Sequence, residues 1–254
     1  MLPRMCGRFV LLNPPAEIVR QFRLPPELTG EPPLSEWEAR YNVAPTQPVP
    51  VVREGEDGRT CDALRWGLIP SWAKDKSIGN RLINARSETA ATKPSFRSAY
   101  VARRCLVPAS GFYEWTKPED GSAKVPHFFS QPGEPGASAP GGEEPHAPAP
   151  FGFAGLWERW TPRRKDDSGE PIETFTLLTG EAYPAVAPVH GRSPLIVPPD
   201  LYDAWLDLDL TDAKGVAKLL RDAQTRGGDG LVARPVSTAV NSPANDGPEL
   251  IEPA

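Results

Sequence analysis

The sequence predicts an α+β fold with a strand-rich core and peripheral helices. Short apolar, β-rich runs recur along the chain, and turn residues separate most of them. Helical patterns are few and short. The 254 residues, 39% hydrophobic and 24% charged, are enough for one sizeable core.

In chain order, a first helix is expected at 14–22, after Asn13 as N-cap and with Pro14 at the first position. Strands are expected at 49–52 and 64–69, and a short helix at 85–92. Strands follow at 105–107, 111–115, 128–129, 151–157, 174–179 and 195–197. Helices are expected at 200–206 and 212–223, and no internal repeat is visible. Proline is unusually common, at 32 residues, and much of it lies in one place. Residues 131–150 hold six Pro, four Gly and four Ala, with no aromatic or large aliphatic residue. Such a segment cannot bury enough apolar surface to offset its ordering entropy, so it reads as a disordered loop between two strands. The charged stretch 161–171 reads as another exposed loop.

No apolar run approaches the length of a membrane span, and no signal peptide is recognisable. Three widely spaced cysteines do not suggest a disulfide framework. A reducing cytoplasm is the simplest reading. Cys6, Cys61 and Cys105 have no CxxC or histidine spacing, so no zinc site is expected. No phosphate-binding glycine loop is present either.

The net charge of −5 divides unevenly, with +5 on residues 1–110 and −10 on 111–254. Residues 65–104 carry nine basic side chains and two acidic ones, Asp75 and Glu88. Salt screens distant charges, so a local basic face can bind phosphates on an acidic protein. A solvated surface with uneven charge accounts for the same pattern.

The residue richest in chemistry is Cys6, in Met5-Cys6-Gly7-Arg8-Phe9. If the chain starts at Met5, removal of that methionine leaves a terminal cysteine. Its α-amine titrates at about 7.7–8.0 and is partly an uncharged nucleophile at neutral pH. The amine can attack an aldehyde to give an imine, and the thiol can close on the imine carbon as a thiazolidine. Translation is expected to begin at Met5, leaving Met1-Leu2-Pro3-Arg4 as a non-native or processed extension. Self-cleavage ahead of Cys6 would also expose the amine.

Four other motifs offer partners. In Gly111-Phe112-Tyr113-Glu114-Trp115, an extended chain puts Phe112 and Glu114 on one face and Tyr113 and Trp115 on the other. A carboxylate in that setting is poorly solvated, which raises its pKa and suits it to proton transfer. A solvent-facing or arginine-paired Glu114 is the alternative. His190, in Val189-His190-Gly191-Arg192-Ser193-Pro194, is the best general acid/base among three histidines, because His127 and His146 lie beside or inside the loop. A lone histidine also serves structural roles. Asn84-Ala85-Arg86-Ser87-Glu88-Thr89 supplies an amide and a planar guanidinium suited to phosphate, and equally suits a helix cap with a solvated arginine. Trp66-Gly67-Leu68-Ile69-Pro70-Ser71-Trp72 lies in the basic segment. Trp66 reads as core, and Trp72 as the exposed ring on which a base can stack.

In their order along the chain, these motifs resemble the SRAP family, the SOS response-associated peptidase or abasic-site processing proteins. Tyr41-Asn42-Val43-Ala44-Pro45, residues 175–179, Val236-Ser237 and Val240-Asn241 complete the match. The resemblance implies a barrel-like SRAP domain over 5–254 and a groove for single-stranded DNA. It implies that Cys6, as first residue, crosslinks to the ring-opened aldehyde of an abasic site, with Asn84, Glu114 and His190 beside it. It places Arg8, Arg86 and Arg192 on phosphates, Trp72 near flanking bases and Thr179 near the lesion. His190 would assist ring opening, Glu114 would relay protons, and nearby cationic groups would activate the thiol. The imine also permits strand-cleaving lyase activity. At position 191, where the family carries an acid, this chain has Gly191, so an orienting carboxylate for His190 is missing. The implied partner is single-stranded DNA with abasic sites, bound by a monomer without metal or small-molecule cofactor, nucleoid-associated when on DNA. Two readings compete with this one. One is a cysteine peptidase, with Cys6 as nucleophile and His190 as base, and the other is a non-covalent single-strand binder that uses the basic 65–104 segment and Trp72.

Overall fold

The computed structural model describes residues 6–116, 121, 123–133, 148–162 and 169–254. Most of the loop expected at 131–150, part of that at 161–171, and the Met1-Leu2-Pro3-Arg4 extension lie outside the described residues. Among the described residues the strands are β1 (Phe9–Leu11), β2 (Arg40–Val43), β3 (Pro48–Gly55), β4 (Gly58–Trp66), β5 (Asn84–Arg86), β6 (Arg104–Ala109), β7 (Gly111–Trp115), β8 (Pro126–Ser130), β9 (Phe151–Trp160), β10 (Ile172–Glu181), β11 (Arg192–Pro194), β12 (Ile196–Val197) and β13 (Val232–Pro235). The helices are α1 (Pro15–Phe22), α2 (Ser87–Ala90), α3 (Arg97–Ala102), α4 (Tyr202–Leu206) and α5 (Ala213–Arg226). None of them is long and apolar enough to cross a membrane.

The strands form two sheets. One has the order β13-β8-β7-β1-β2. The other closes on itself, because β10 pairs with β4, β4 with β3, β3 with β6, β6 with β9, and β9 again with β10. This ring gives the α+β, strand-rich and barrel-like architecture, with helices at the periphery. Closure removes free edges along the paired strands.

An aromatic column joins the sheets. Phe9 of β1 packs on Trp66 of β4 at 5.2 Å and on Phe153 of β9 at 6.0 Å. Phe112 of β7 meets Phe153 at 5.9 Å and stacks on Phe129 at 5.1 Å. The alternate residues of the same strands, Val10 and Tyr113, face a second core with Phe128, Val236, Val240 and Leu250. The five-stranded sheet is therefore apolar on both faces, which makes β1 a run without alternation. Fully buried Asn42 ties the C-terminal segment down, donating from Nδ2 to the carbonyls of Val240, Ser242 and Asn245 at 2.9–3.2 Å.

Several expected boundaries move. Pro14, not Asn13, is the N-cap of α1. Buried Asn13 donates instead to Glu17 at 3.0 Å and to the Pro148 carbonyl at 3.2 Å. The strand expected to reach residue 69 ends at Trp66, where Gly67 turns the chain at φ 120°. A Cβ there would stand 2.6 Å from the Gly79 carbonyl oxygen, so only glycine fits. The helix expected at 85–92 shrinks to α2, because Asn84, Ala85 and Arg86 pair in parallel with Leu177, Leu178 and Thr179 of β10. The helix expected at 200–206 is a 3₁₀ turn, Pro199–Leu201, followed by α4. The helix expected at 212–223 runs three residues longer, with Asp212 as its cap, accepting from the Lys214 and Gly215 amides.

A candidate site where the two sheets meet

Each sheet contributes to one buried polar cluster around Cys6. Antiparallel pairing of β1 with β7 sets Phe9 opposite Phe112, and the Tyr113 amide donates to the Arg8 carbonyl at 3.1 Å. This register brings Cys6, just before β1, beside Glu114. The Cys6 nitrogen donates to Glu114 Oε1 at 2.7 Å. From the other sheet, Asn84 at the start of β5 donates from Nδ2 to the Cys6 carbonyl at 2.9 Å. His190, in the turn between β10 and β11, places Nδ1 4.0 Å from Glu114 Oε1. The four residues expected to cooperate thus stand together, although their positions span 6 to 190.

The alternation expected for β7 is present, with Phe112 in the main core and Tyr113 in the second. Glu114 is only 2% exposed. Burial pushes its carboxyl from about 4.5 up to about 8, against the smaller lowering effects of the Cys6 and Trp115 amides and of Lys124. The alternatives of a solvent-facing or arginine-paired Glu114 are set aside by this geometry. Gly191 does not leave the imidazole loose. His190 Nδ1 lies 3.2 Å from the Arg192 amide nitrogen and 3.0 Å from the Arg192 carbonyl oxygen, so it accepts from the one or donates to the other according to its tautomer, and either bond holds the ring from the backbone.

The expectation of a cation-activated thiol needs correction. Cys6 is fully buried, and its Sγ lies 3.8 Å from the Arg8 carbonyl oxygen. Burial pushes the thiol well above its ordinary pKa, the Glu114 charge pushes the same way, and only the Arg8 carbonyl contact opposes them. The sulfur is therefore a thiol at neutral pH. What the site grips by hydrogen bonding is the nitrogen.

The expected phosphate ligands differ in how they are engaged. Among the described residues Arg8 bonds the carbonyls of Gly7 at 3.3 Å and Asn241 at 3.4 Å, and its buried Nε has no hydrogen-bond partner there. Burial lowers the pKa of its guanidinium. Arg86 is exposed. Arg192 is engaged by Glu88 and by Thr179, which is itself buried under the Arg192 guanidinium. Trp72 is 48% exposed and Trp66 is buried, as their positions suggest. Of the nine basic residues in 65–104, Lys74, Lys76, Arg81, Arg86, Lys93 and Arg97 are exposed. Arg104 is instead a core cation, donating to the carbonyls of Trp205 and Val101 at 2.8 Å. Three residues near the site escape a reading of the sequence. Glu88 was legible only as an acid in a basic run, Lys124 only as one lysine among several, and Asn241, which accepts from Trp115 Nε1 at 2.7 Å, only as part of a motif.

Known proteins resemble this chain over most of its length. Residues 5–243 match the family described as SOS response associated peptidase (SRAP). The chain is 38% identical over 250 residues to abasic site processing protein YoqW of Bacillus subtilis, covering 98% of this chain and 99% of that one. It is 32% identical over 236 residues to abasic site processing protein HMCES of Gallus gallus, covering 85% and 67% of the two chains. A crystal structure of a Bacteroides thetaiotaomicron protein superposes with a TM-score of 0.75 at 23% identity, covering 98% and 100% of the two chains, and shares the fold. The chain belongs to the SOS response associated peptidase family.

Proposed function

We propose that this protein processes abasic sites in DNA, and that it does so on single strands by covalent capture at Cys6. Relatives named for abasic site processing support the first part. The second part rests above all on the hydrogen bond from the Cys6 nitrogen to Glu114 at 2.7 Å. A site built for a thiolate nucleophile would lower the thiol pKa and set an imidazole against the sulfur. Here burial and Glu114 keep the sulfur protonated, and the carboxylate addresses the nitrogen. The reading requires Cys6 at the amino end, with residues 1–5 removed.

With Cys6 so exposed, its nitrogen is an α-amine. Glu114, with its carboxyl raised to about 8, is matched to an α-amine of about 7.7–8.0 and exchanges a proton with the ammonium, leaving a neutral amine. His190 assists opening of the abasic sugar from hemiacetal to aldehyde. The amine adds to the aldehyde carbon, Glu114 returns the proton to the departing hydroxyl, and water leaves as the imine forms. The Cys6 thiol then adds to the imine carbon, its proton passing to the former imine nitrogen, and the thiazolidine closes. The net change is loss of one water. Asn84 holds the Cys6 carbonyl and so fixes the direction of the amine. Arg8, Arg86 and Arg192 bind phosphates, Thr179 sits near the lesion, and a base stacks on Trp72. At the imine stage, loss of a proton from the neighbouring sugar carbon would expel the 3′ phosphate, a β-elimination that gives weak lyase activity.

The order amine first, thiol second is testable. Chain beginning at Cys6 should form a denaturation-resistant adduct with abasic single-stranded DNA, and α-acetylation should abolish it. An adduct that survives acetylation would show a sulfur-first reaction and contradict the assignment.

A further inference from the structure

Arg192, at the start of β11, donates from Nη1 and Nη2 to the two carboxylate oxygens of Glu88, each at 2.9 Å. Nη2 also donates to the Thr179 carbonyl at 2.7 Å and lies 3.4 Å from the Thr179 hydroxyl. The Arg192 Nε is buried and has no hydrogen-bond partner among the described residues. A carboxylate in this fork presents two oxygens as a phosphate does. The partners differ in freedom. The Arg192 side chain is 19% exposed and braced on Thr179, and that of Glu88 is 49% exposed. Burial alone would raise the Glu88 pKa, but the hydrogen bonds and charge of Arg192 hold it below its ordinary value, so the anion persists at neutral pH.

We propose that Glu88 is a specificity-determining phosphate surrogate. It occupies the phosphate face of Arg192 in the free protein, and a strand phosphate binds there only by displacing it. The competition weakens attachment to every single strand alike. A strand carrying an aldehyde regains the loss through the bond to Cys6, and an undamaged strand does not. The Glu88 carboxylate has somewhere to go when displaced. It lines a cavity of about 280 Å³ together with Tyr100, Glu181, Arg221 and Gln224, so a second guanidinium borders the same space. The buried Arg192 Nε then supplies a further donor to the incoming phosphate. This inference rests on the single-strand reading above.

The test is anisotropy of a labelled, undamaged single-stranded oligonucleotide across a salt series. Wild type is compared with Glu88→Gln, Arg192→Gln and the double variant. Gln keeps the size and one acceptor and removes the charge. Glu88→Gln should bind about threefold to fivefold tighter, the scale of a partly exposed ion pair. Its log–log salt dependence should steepen by about 0.7, one more phosphate neutralised on a single strand. The gain should vanish in the Arg192→Gln background. Equal or weaker binding by Glu88→Gln would show that Glu88 only positions Arg192, and would overturn the proposal. An equal gain without Arg192 would reduce the effect to general charge and overturn it too. Failure of the wild type to bind the oligonucleotide would sink the single-strand reading and this inference with it. Binding by wild type without a gain in Glu88→Gln sinks the inference alone.

Discussion

Replacing Glu114 by glutamine isolates the cost of burying its carboxylate. Glutamine keeps the oxygen that accepts from the Cys6 nitrogen at 2.7 Å and cannot ionise. The folded carboxyl sits at about 8 against an ordinary value near 4.5. Between those values the folded state binds the proton more tightly than the unfolded chain, so stability is full below about 4.5 and is lost as pH rises toward about 8. At about 1.4 kcal/mol for each tenfold in proton affinity, the loss reaches about 5 kcal/mol as an upper limit. We expect about 2–5 kcal/mol. The assay is urea unfolding from pH 5 to pH 9 on chain that still carries residues 1–5, where the Cys6 nitrogen is an amide. Wild type and Glu114→Gln should agree near pH 5, and the variant should be the more stable by the expected amount above pH 8. In chain trimmed to Cys6 the difference should shrink, because an ammonium at that nitrogen stabilises the carboxylate. Parallel pH profiles in the untrimmed chain would refute the reasoning, and so would a wild type that gains on the variant as pH rises.

Cys6→Ala at a free amino end keeps the amine and loses the ring-closing sulfur. It should form no denaturation-resistant adduct with abasic single strands, yet still be trapped on them by borohydride reduction of the imine. Asn84→Ala removes the bond to the Cys6 carbonyl and should slow adduct formation about threefold to tenfold, the worth of one neutral hydrogen bond, with little change in single-strand affinity. Trp72→Ala should weaken single-strand binding by about 1–3 kcal/mol in anisotropy, if a base stacks there, and leave the melting temperature nearly unmoved. Asn42→Ala leaves carbonyls of the C-terminal segment unpaired and should cost about 2–3 kcal/mol in urea unfolding.

The sequence shows local rules well and long-range pairing poorly. β7 was legible because its alternation fits a pleat, and the perturbed carboxyl of Glu114 followed from an acid on an aromatic strand. β1 and β2 were not legible, since runs of three and four residues are too short for any period to show. β5 read as the start of a helix, because the parallel pairing that extends Asn84–Arg86 is made with β10, more than ninety positions away. α3 is not legible because its six residues have no side-chain cap. The state of the thiol is hidden for a related reason. Counting basic residues gives the sign of nearby charge, but the pKa of Cys6 is decided first by complete burial and then by Glu114. The capture of Arg192 by Glu88 was hidden as well, joining positions 104 apart.

The measurement closest to the central claim is intact mass spectrometry of chain trimmed to Cys6 after incubation with an abasic single strand, under denaturing conditions without reductant. A one-to-one adduct should appear at the summed mass less one water, with peptide mapping placing the DNA on Cys6. Trimmed, folded protein that gives no adduct, or an adduct mapped to another residue, would contradict it.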